Sequence, residues 1–544
     1  MKYFYKIDRS ANPFSELNIF DQKNKSLLLC FSFFFIVAVC GYLSVINLSV
    51  PYRDDWYRYL WNSHVGGSEA LRSGTALIEY LFYLSNVVTD ASPFTQVLSC
   101  ATLAYIACIF LKIFKINTKN KWEIICLTPI VINPYLLEVM LYRFDNFFII
   151  LSLLMVSLSV YLSNQNKKKY FITQSLLLFI SLFVYQVAIS VYLTTLTYEF
   201  MKKIHSGKTF PTAVCEIKYW LYSLIATSLG YISFLKRLDY GRAEDGSVLT
   251  IPYNLENITV IIHNLCSYFQ TLHNDWSPSI AGLILFAMVF FFAIKNLAET
   301  AKTTKSVSSI LLVLVLIFIF ILCPSGPYIG LKVFKENNLI PPRLLCGIGV
   351  FMSIVLYEVY LLFQINKITK TLIKVISCLI VTWNLMFLNS AVNIMRENFR
   401  IRNLVEHDIA KDILEMSDTY PQITDFRIIG EVTIPANKNF FELYPIMDRI
   451  FLEKLDMLKH YRLGFVHHKL GKKLMSDEHI FSKAPEYVSK KLIKTQLMYD
   501  LYMLDNHILQ IELKNDDNRK GKDRFVMKIP KKMKTPPKIN SEIQ

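Results

Sequence analysis

Residues 27–50, LLLCFSFFFIVAVCGYLSVINLSV, run for twenty-four positions without one charged side chain. As a helix such a run is about 36 Å long, more than the ~30 Å hydrocarbon core of a bilayer, and a helix apolar on every face has no use on a protein surface in water. It reads as a membrane span. Lys2, Lys6, Asp8 and Lys25 precede it and no small-residue cleavage site follows closely, so the span is expected to be retained and not removed as a signal peptide.

The pattern repeats. Further apolar segments fall at about 94–114, 122–141, 145–163, 170–184, 187–201, 218–236, 278–294, 308–323, 343–363 and 371–391, each bounded by polar residues. With the first they predict about eleven transmembrane helices, in agreement with a chain that is 53% hydrophobic. The pair at 170–184 and 187–201 is short for a bilayer and implies a tilted hairpin or local thinning. The stretch 75–88, TALIEYLFYLSNVV, is expected to lie in the interface or to re-enter.

Lysine sets the orientation. KINTKNK (115–121), NQNKKK (164–169), MKKIHSGK (201–208), KNLAETAKTTK (295–305) and INKITKTLIK (365–374) all fall on the side of the amino terminus, which the positive-inside rule makes cytoplasmic. The net charge of +16 is thereby explained without nucleic acid. An odd number of spans then puts the tail, from about residue 393, outside.

The opposite face collects different chemistry. It receives YRDDWYR (52–58), LRSG (71–74), YRFDN (142–146), YQ (185–186), KRLDYGRAEDG (236–246), HNDWSP (273–278), PSGP (324–327) and PPR (341–343). Arginines and carboxylates at a membrane surface suit a substrate with an anionic head group on a lipid tail, because the guanidinium fork binds phosphate oxygens two at a time. A carboxylate nearby can take a proton from an acceptor hydroxyl. Asp54 and Asp55 are adjacent, so mutual repulsion raises the proton affinity of one of them.

Each feature also has a plainer reading. An Asp pair before Trp56 can cap a helix, Asp145 can pair locally with Arg143, Gln186 can serve a turn, and CPSGP can simply end a span. Charged residues at span ends are often interfacial anchors. Phosphate-binding glycine loops and the H-E-x-x-H zinc motif are absent, and the adjacent His467 and His468 cannot share one face of a helix or strand. The ten cysteines sit mostly within apolar segments and form no C-x-x-C pair, so neither a disulfide framework nor a zinc cluster is indicated. Asn257-Ile258-Thr259 matches a glycosylation acceptor, a pattern frequent by chance.

Taken in order, the acidic DDW loop after the first span, YRFDN, YQ within a short hairpin and PPRLLCG opening a late span resemble the bacterial O-antigen glucosyltransferases of the serotype-converting type, over roughly residues 26–395. That family in turn resembles the membrane glycosyltransferases of GT-C fold. The resemblance implies a polytopic inner-membrane enzyme that transfers a hexose, typically glucose, from an undecaprenyl-phosphate carrier to O-antigen lipopolysaccharide on the periplasmic side, with inversion. It also implies work alongside a flippase and a donor-synthesising glycosyltransferase. Carried onto this chain, the catalytic base is Asp54, with Asp55 holding the acceptor or the turn. Arg53, Arg58, Arg72, Arg237, Arg242 and Arg343 become donor-phosphate ligands, and Arg143, Asp145, Tyr185 and Gln186 line the sugar and acceptor site. Some GT-C relatives need a divalent metal; this chain has no compact outward carboxylate cluster beyond the DD pair, and the metal is left unassigned.

The expected organisation is a cytoplasmic segment 1–26, a transmembrane glycosyltransferase domain 27–392 with a catalytic outward loop 51–93, and a periplasmic domain 393–544. In the tail, FRIIGEV (426–432), HILQIELK (507–514) and RFVMKI (524–529) read as strands and NKNFFELYPIMDRIFLEKL (437–455) as an amphipathic helix, which makes a small α/β domain. The terminal KIPKKMKTPPKINSEIQ has the composition of a solvated tail. Two rivals stand beside the glucosyltransferase. An O-antigen polymerase would have no specific need of the DD pair, and a lipid-linked sugar flippase would place its ionisable groups at mid-membrane, with internal repeats that this sequence lacks.

Overall fold

The computed structural model describes residues 13–21, 24–48, 52, 55, 73–84, 89–165, 168–237, 255–304, 306–330, 340–364, 366–420, 425–429, 440–450, 490–496, 499–504, 508–513 and 524–528. They form two compact units, one of residues 1–393 with 441–450, the other of residues 394–440 with 451–544.

The first unit is helical. Its helices are α1 (Lys25–Ile46), α2 (Ser73–Tyr83), α3 (Phe94–Ile113), α4 (Lys121–Ile125), α5 (Thr128–Val131), α6 (Pro134–Leu141), α7 (Asn146–Asn164), α8 (Phe171–Val184), α9 (Ile189–His205), α10 (Phe210–Glu216), α11 (Lys218–Arg237), α12 (Leu255–Trp276), α13 (Ile280–Thr304), α14 (Val307–Leu322), α15 (Ile348–Leu362), the first half of α16 (Lys367–Thr419), and α17 (Ile446–Ile450). Six of the described helices are long and apolar enough to cross a membrane, or seven if the bent pair 121–131 and 134–141 forms one span. The chain is a membrane protein, but the expected eleven spans are not reached on this measure. Length accounts for α8, α9 and α15, of 14, 17 and 15 residues and about 21, 26 and 22 Å of helix against ~30 Å of hydrocarbon, whereas α11, with 20 residues, is long enough but too polar. The helix over Leu255–Trp276 is an element the hydropathy reading did not foresee, because its apolar residues form a stripe and not a run.

The bent span shows how sequence dictates local shape. Pro134 cannot continue the preceding helix, and Asn133 restarts the chain as an N-cap, its side-chain oxygen accepting the N–H groups of Tyr135 and Leu136. Its amide nitrogen donates back to the Pro129 carbonyl at 2.9 Å, so the groups freed by the break are satisfied within the protein. All of α6 is buried, including Glu138. Gly349 lets α15 approach this break: a Cβ there would sit 2.5 Å from the Pro129 carbonyl oxygen and 2.8 Å from the Asn133 amide.

Polar side chains join the helices inside the apolar body. Gln174 of α8 accepts from Ser163 of α7 and donates to Ser223 and the Tyr219 carbonyl of α11. Ser44 of α1 donates to Asn389 of α16, whose amide returns a bond to the Cys40 carbonyl. Such bonds favour one arrangement where lipid supplies no hydrophobic drive between helices. Where α9, α13 and α15 come together near the lysine-bearing loops, Glu358 takes Lys295 and the Tyr198 hydroxyl.

The second unit holds a five-stranded sheet, β1 (Asp425–Ile429), β2 (Lys490–Thr495), β3 (Tyr499–Leu504), β4 (Ile508–Leu513) and β5 (Arg524–Lys528), in the order β2-β3-β4-β1-β5. β1 and β4 are parallel and the other pairs antiparallel. Val405, Ile409, Ile413 and Met416, one face of α16 by their spacing, pack on Tyr499, Leu501, Leu509 and Ile511, alternate residues of β3 and β4. The helix expected over 437–455 is described only in part, as helical residues 440–443 and α17, and from residue 441 to 450 it belongs with the first unit.

Asp412 fastens α16 to the sheet. Burial by itself pushes its carboxyl up, but hydrogen bonds from Lys494 (2.8 Å), Gln496 (3.0 Å) and Tyr499 (2.8 Å) outweigh burial and hold it below the ordinary carboxylate range. A depressed folded-state pKa contributes stability that is complete above the unfolded value near pH 4 and is lost as pH falls through the folded value. Acid titration of the tail unit, followed by circular dichroism, is expected to show this loss in the wild type and a flatter acid limb in Asp412→Asn. Identical acid limbs would remove Asp412 from the account.

Candidate active site

Four of the residues singled out by sequence, Asp55, Arg143, Tyr185 and Arg343, converge at one end of the helical unit. Arg143, in the turn between α6 and α7, is its staple. Its backbone N–H donates to Asp55 Oδ2 at 2.8 Å, its Nη2 meets Asp90 Oδ2 at 2.6 Å and its Nη1 donates to the Leu48 carbonyl at 3.2 Å. Leu48 and Asp55 flank the start of the 51–93 loop and Asp90 stands near its end. One residue therefore holds both ends of that loop.

Asp55 is fully buried. Its Oδ2 also accepts the N–H of Tyr52 at 3.2 Å, and its own N–H donates to the Tyr52 carbonyl at 2.9 Å, which makes the short acidic turn. An oxygen that already takes two amide hydrogens has both lone pairs engaged. Tyr52 packs edge-on against Tyr142, the residue before the staple, with ring centroids 5.0 Å apart.

Arg343 lies beyond that ring. It is the second residue of the short helical turn Pro342–Leu345, fixed by Pro341 and Pro342, and its guanidinium sits over the Tyr142 ring and donates to the Tyr142 hydroxyl. Glu138, wholly buried on α6, accepts the backbone N–H of Arg343 at 2.9 Å and stands 3.6 Å from its Nη1. The Tyr185 hydroxyl donates to the Arg343 carbonyl at 2.9 Å. Asp55, Arg143, Arg343 and Tyr185 thus form one connected group through Tyr52, Tyr142 and Glu138. A quarter of the Arg343 side chain remains exposed, against 13% for Arg143, so Arg343 is the more available cation.

The other expected site residues stand differently. Gln186 donates to the Tyr231 hydroxyl of α11 at 2.8 Å. Asp145 is buried at the start of α7, where its carbonyl accepts the Ile149 N–H and begins the helix. Arg237 ends α11, and its side chain is outside the described residues, as are Arg53, Asp54, Arg58, Arg72 and Arg242. Among the described residues no group of three or more His, Cys, Asp or Glu side chains is placed to hold a metal ion. Sequence reasoning passed over Glu138, Asp90 and Tyr142. The signal for Glu138 was present, since a lone carboxylate inside the apolar run PYLLEVML must have a partner.

The chemistry such a site can support is limited by its geometry: a carboxylate loop pinned at both ends, and beside it an arginine held by a buried glutamate with its fork partly open. The arrangement brings a partly open guanidinium beside an acidic loop at one end of the helical unit. No solved structure matches the chain. A phage protein does: "Uncharacterized 55.3 kDa protein in gtrB 5'region" of Salmonella phage P22 is 24% identical over 425 residues, 76% of this chain and 85% of that protein. A family model, glucosyl transferase GtrII, matches residues 43–355, more than half of the chain and a range that contains Asp55, Glu138, Arg143 and Arg343. The chain belongs to the GtrII glucosyl transferase family and is a membrane glycosyltransferase.

Proposed function

We propose that the enzyme transfers glucose from an undecaprenyl-phosphate carrier to O-antigen at the periplasmic face of the bacterial inner membrane, with inversion. The observation that carries this reading is the meeting of the acidic loop and Arg343 within the family-matched residues. In the proposed step Asp54 takes the proton of an acceptor hydroxyl, the acceptor oxygen bonds to the anomeric carbon, and the bond from that carbon to the lipid phosphate breaks. The electron pair leaves with the phosphate, and the proton passes later from Asp54 to water. Asp55 holds the turn that presents Asp54. Arg343, with Arg53, Arg58, Arg72, Arg237 and Arg242, receives the phosphate charge, and Tyr185, Gln186, Arg143 and Asp145 shape the sugar end.

The direct test incubates purified protein with polyprenyl-phosphate-[¹⁴C]glucose and O-antigen lipopolysaccharide. Label in the polysaccharide supports the reading; label retained in the lipid, or released only as free sugar, overturns it. The proposed orientation has its own check. Alkaline phosphatase fused after Tyr420, where α16 has ended, is expected to be active, and a cytoplasmic reporter at the same point silent. The reverse pattern would mean that the number of spans before Tyr420 is even and the tail cytoplasmic.

A further inference from the structure

The two loops at the site are each touched by the same short segment from much later in the chain. Arg449, buried in α17, donates through Nη1 to the Ile340 carbonyl at 2.8 Å and through Nη2 to both oxygens of Asp275 at 2.5 Å. Asp275, at the end of α12, also accepts the Tyr135 hydroxyl at 2.8 Å. The next residue, Ile450, accepts the Tyr52 hydroxyl at 2.6 Å. Ile340 stands three residues before Arg343, and its N–H donates to Thr271 Oγ1 of α12 at 3.3 Å. Tyr52 stands three residues before Asp55.

We propose that Arg449 and Ile450 form a latch that sets the spacing between the acidic loop and the Arg343 loop, which makes Arg449 a positioning residue for glucosyl transfer. The consequence for turnover rests on the function proposed above; the latch itself does not. A buried ion pair is a poor means of gaining stability, because desolvation offsets much of its attraction and apolar residues would fill the space as well. What the planar guanidinium adds is two directed arms at fixed geometry, one on α12 and one on the backbone that leads to Arg343. The Ile450 carbonyl extends this hold to the acidic loop through a tyrosine. Catalytic groups on separate loops need such a tie, since an error of about 1 Å in position costs roughly 10²-fold in rate.

Two variants separate positioning from charge burial. Arg449→Lys keeps a cation for Asp275 and loses the second arm to Ile340. Arg449→Met with Asp275→Asn removes both charges, so that no buried ion is left unpaired. Both are expected to reach the membrane at wild-type levels with a melting temperature close to wild type, yet to lower kcat about tenfold or more, with a smaller change in KM for the lipid donor. Wild-type kcat in both would overturn the latch. A second readout does not depend on activity. In Pro341→Cys protein, labelling of position 341 by a membrane-impermeant maleimide, measured on the isolated peptide, is expected to accelerate at least threefold when Arg449→Lys is added. An unchanged rate overturns the latch even if the wild type transfers no glucose, a result that would by itself remove only the proposed function.

Discussion

Asp54→Asn is expected to insert and fold as the wild type does and to lower glucosyl transfer by roughly 10²-fold or more, the loss typical of removing a general base. Asn keeps the size and turn-forming ability of Asp and loses only the basic oxygen, so the change separates proton transfer from helix capping. Asp55→Asn is expected to behave differently, because one oxygen of the Asp55 carboxylate, Oδ2, accepts the N–H groups of both Tyr52 and Arg143. There the loss is a charge-assisted hydrogen bond, about 1.5–3 kcal/mol, and it should appear as a lower melting temperature with a milder fall in activity. Rates and melting temperatures of the two purified variants decide the matter. Full activity in Asp54→Asn beside a folded but inactive Asp55→Asn would move the base one residue along; full activity in both would sink the catalytic loop.

That contrast between neighbours shows what a sequence can and cannot state about such a site. The pair at 54 and 55 stands out because two adjacent carboxylates follow closely on a run of twenty-four residues without a charge. That Asp55 is buried depends on Arg143, eighty-eight residues away, whose amide Asp55 accepts. The long spans were legible for the same reason the pair was, as departures from what water or lipid would tolerate. The amphipathic α12 was not, since a stripe of apolar residues over Leu255–Trp276 does not raise the mean hydropathy of a window. In the tail, β1, β4 and β5 follow segments of visible alternation. β2 (KKLIKT) was hidden by three lysines on an exposed strand. β3 (YDLYML) does alternate, Tyr499, Leu501 and Met503 inward, but only Asp500 interrupts its apolar character.

Partnerships across the chain left the faintest traces. Arg449 falls in a segment that reads as part of an amphipathic helix in the tail, and Asp275 in HNDWSP, one of the polar loops gathered on the outward face. Nothing local in either links residues 174 positions apart. Glu138 was the exception, since an unpaired carboxylate on a buried helix is too costly to leave unexplained. Its partner could have been sought among the arginines of the facing loops.

The Glu138 and Arg343 pair yields the second large effect. Arg343→Lys keeps the positive charge and loses the planar fork, and with it the ability to hold Tyr142 and offer two donors to a phosphate at once. With Arg343 as a phosphate ligand, KM for the lipid donor is expected to rise roughly 10- to 100-fold, equivalent to about 1.5–3 kcal/mol for charge-assisted hydrogen bonds, with little change in melting temperature. Glu138→Ala should act on stability instead. It leaves the Arg343 backbone N–H without its acceptor and the half-buried guanidinium without its counter-ion, and removal of one partner from a buried pair costs about 3–5 kcal/mol. Glu138→Gln, which retains an oxygen for that N–H, should fall between. If Arg343→Lys lowered the melting temperature as far as Glu138→Ala while KM for the donor stayed at the wild-type value, the pair would be a tie between α6 and the 340–345 turn and Arg343 no ligand of the phosphate.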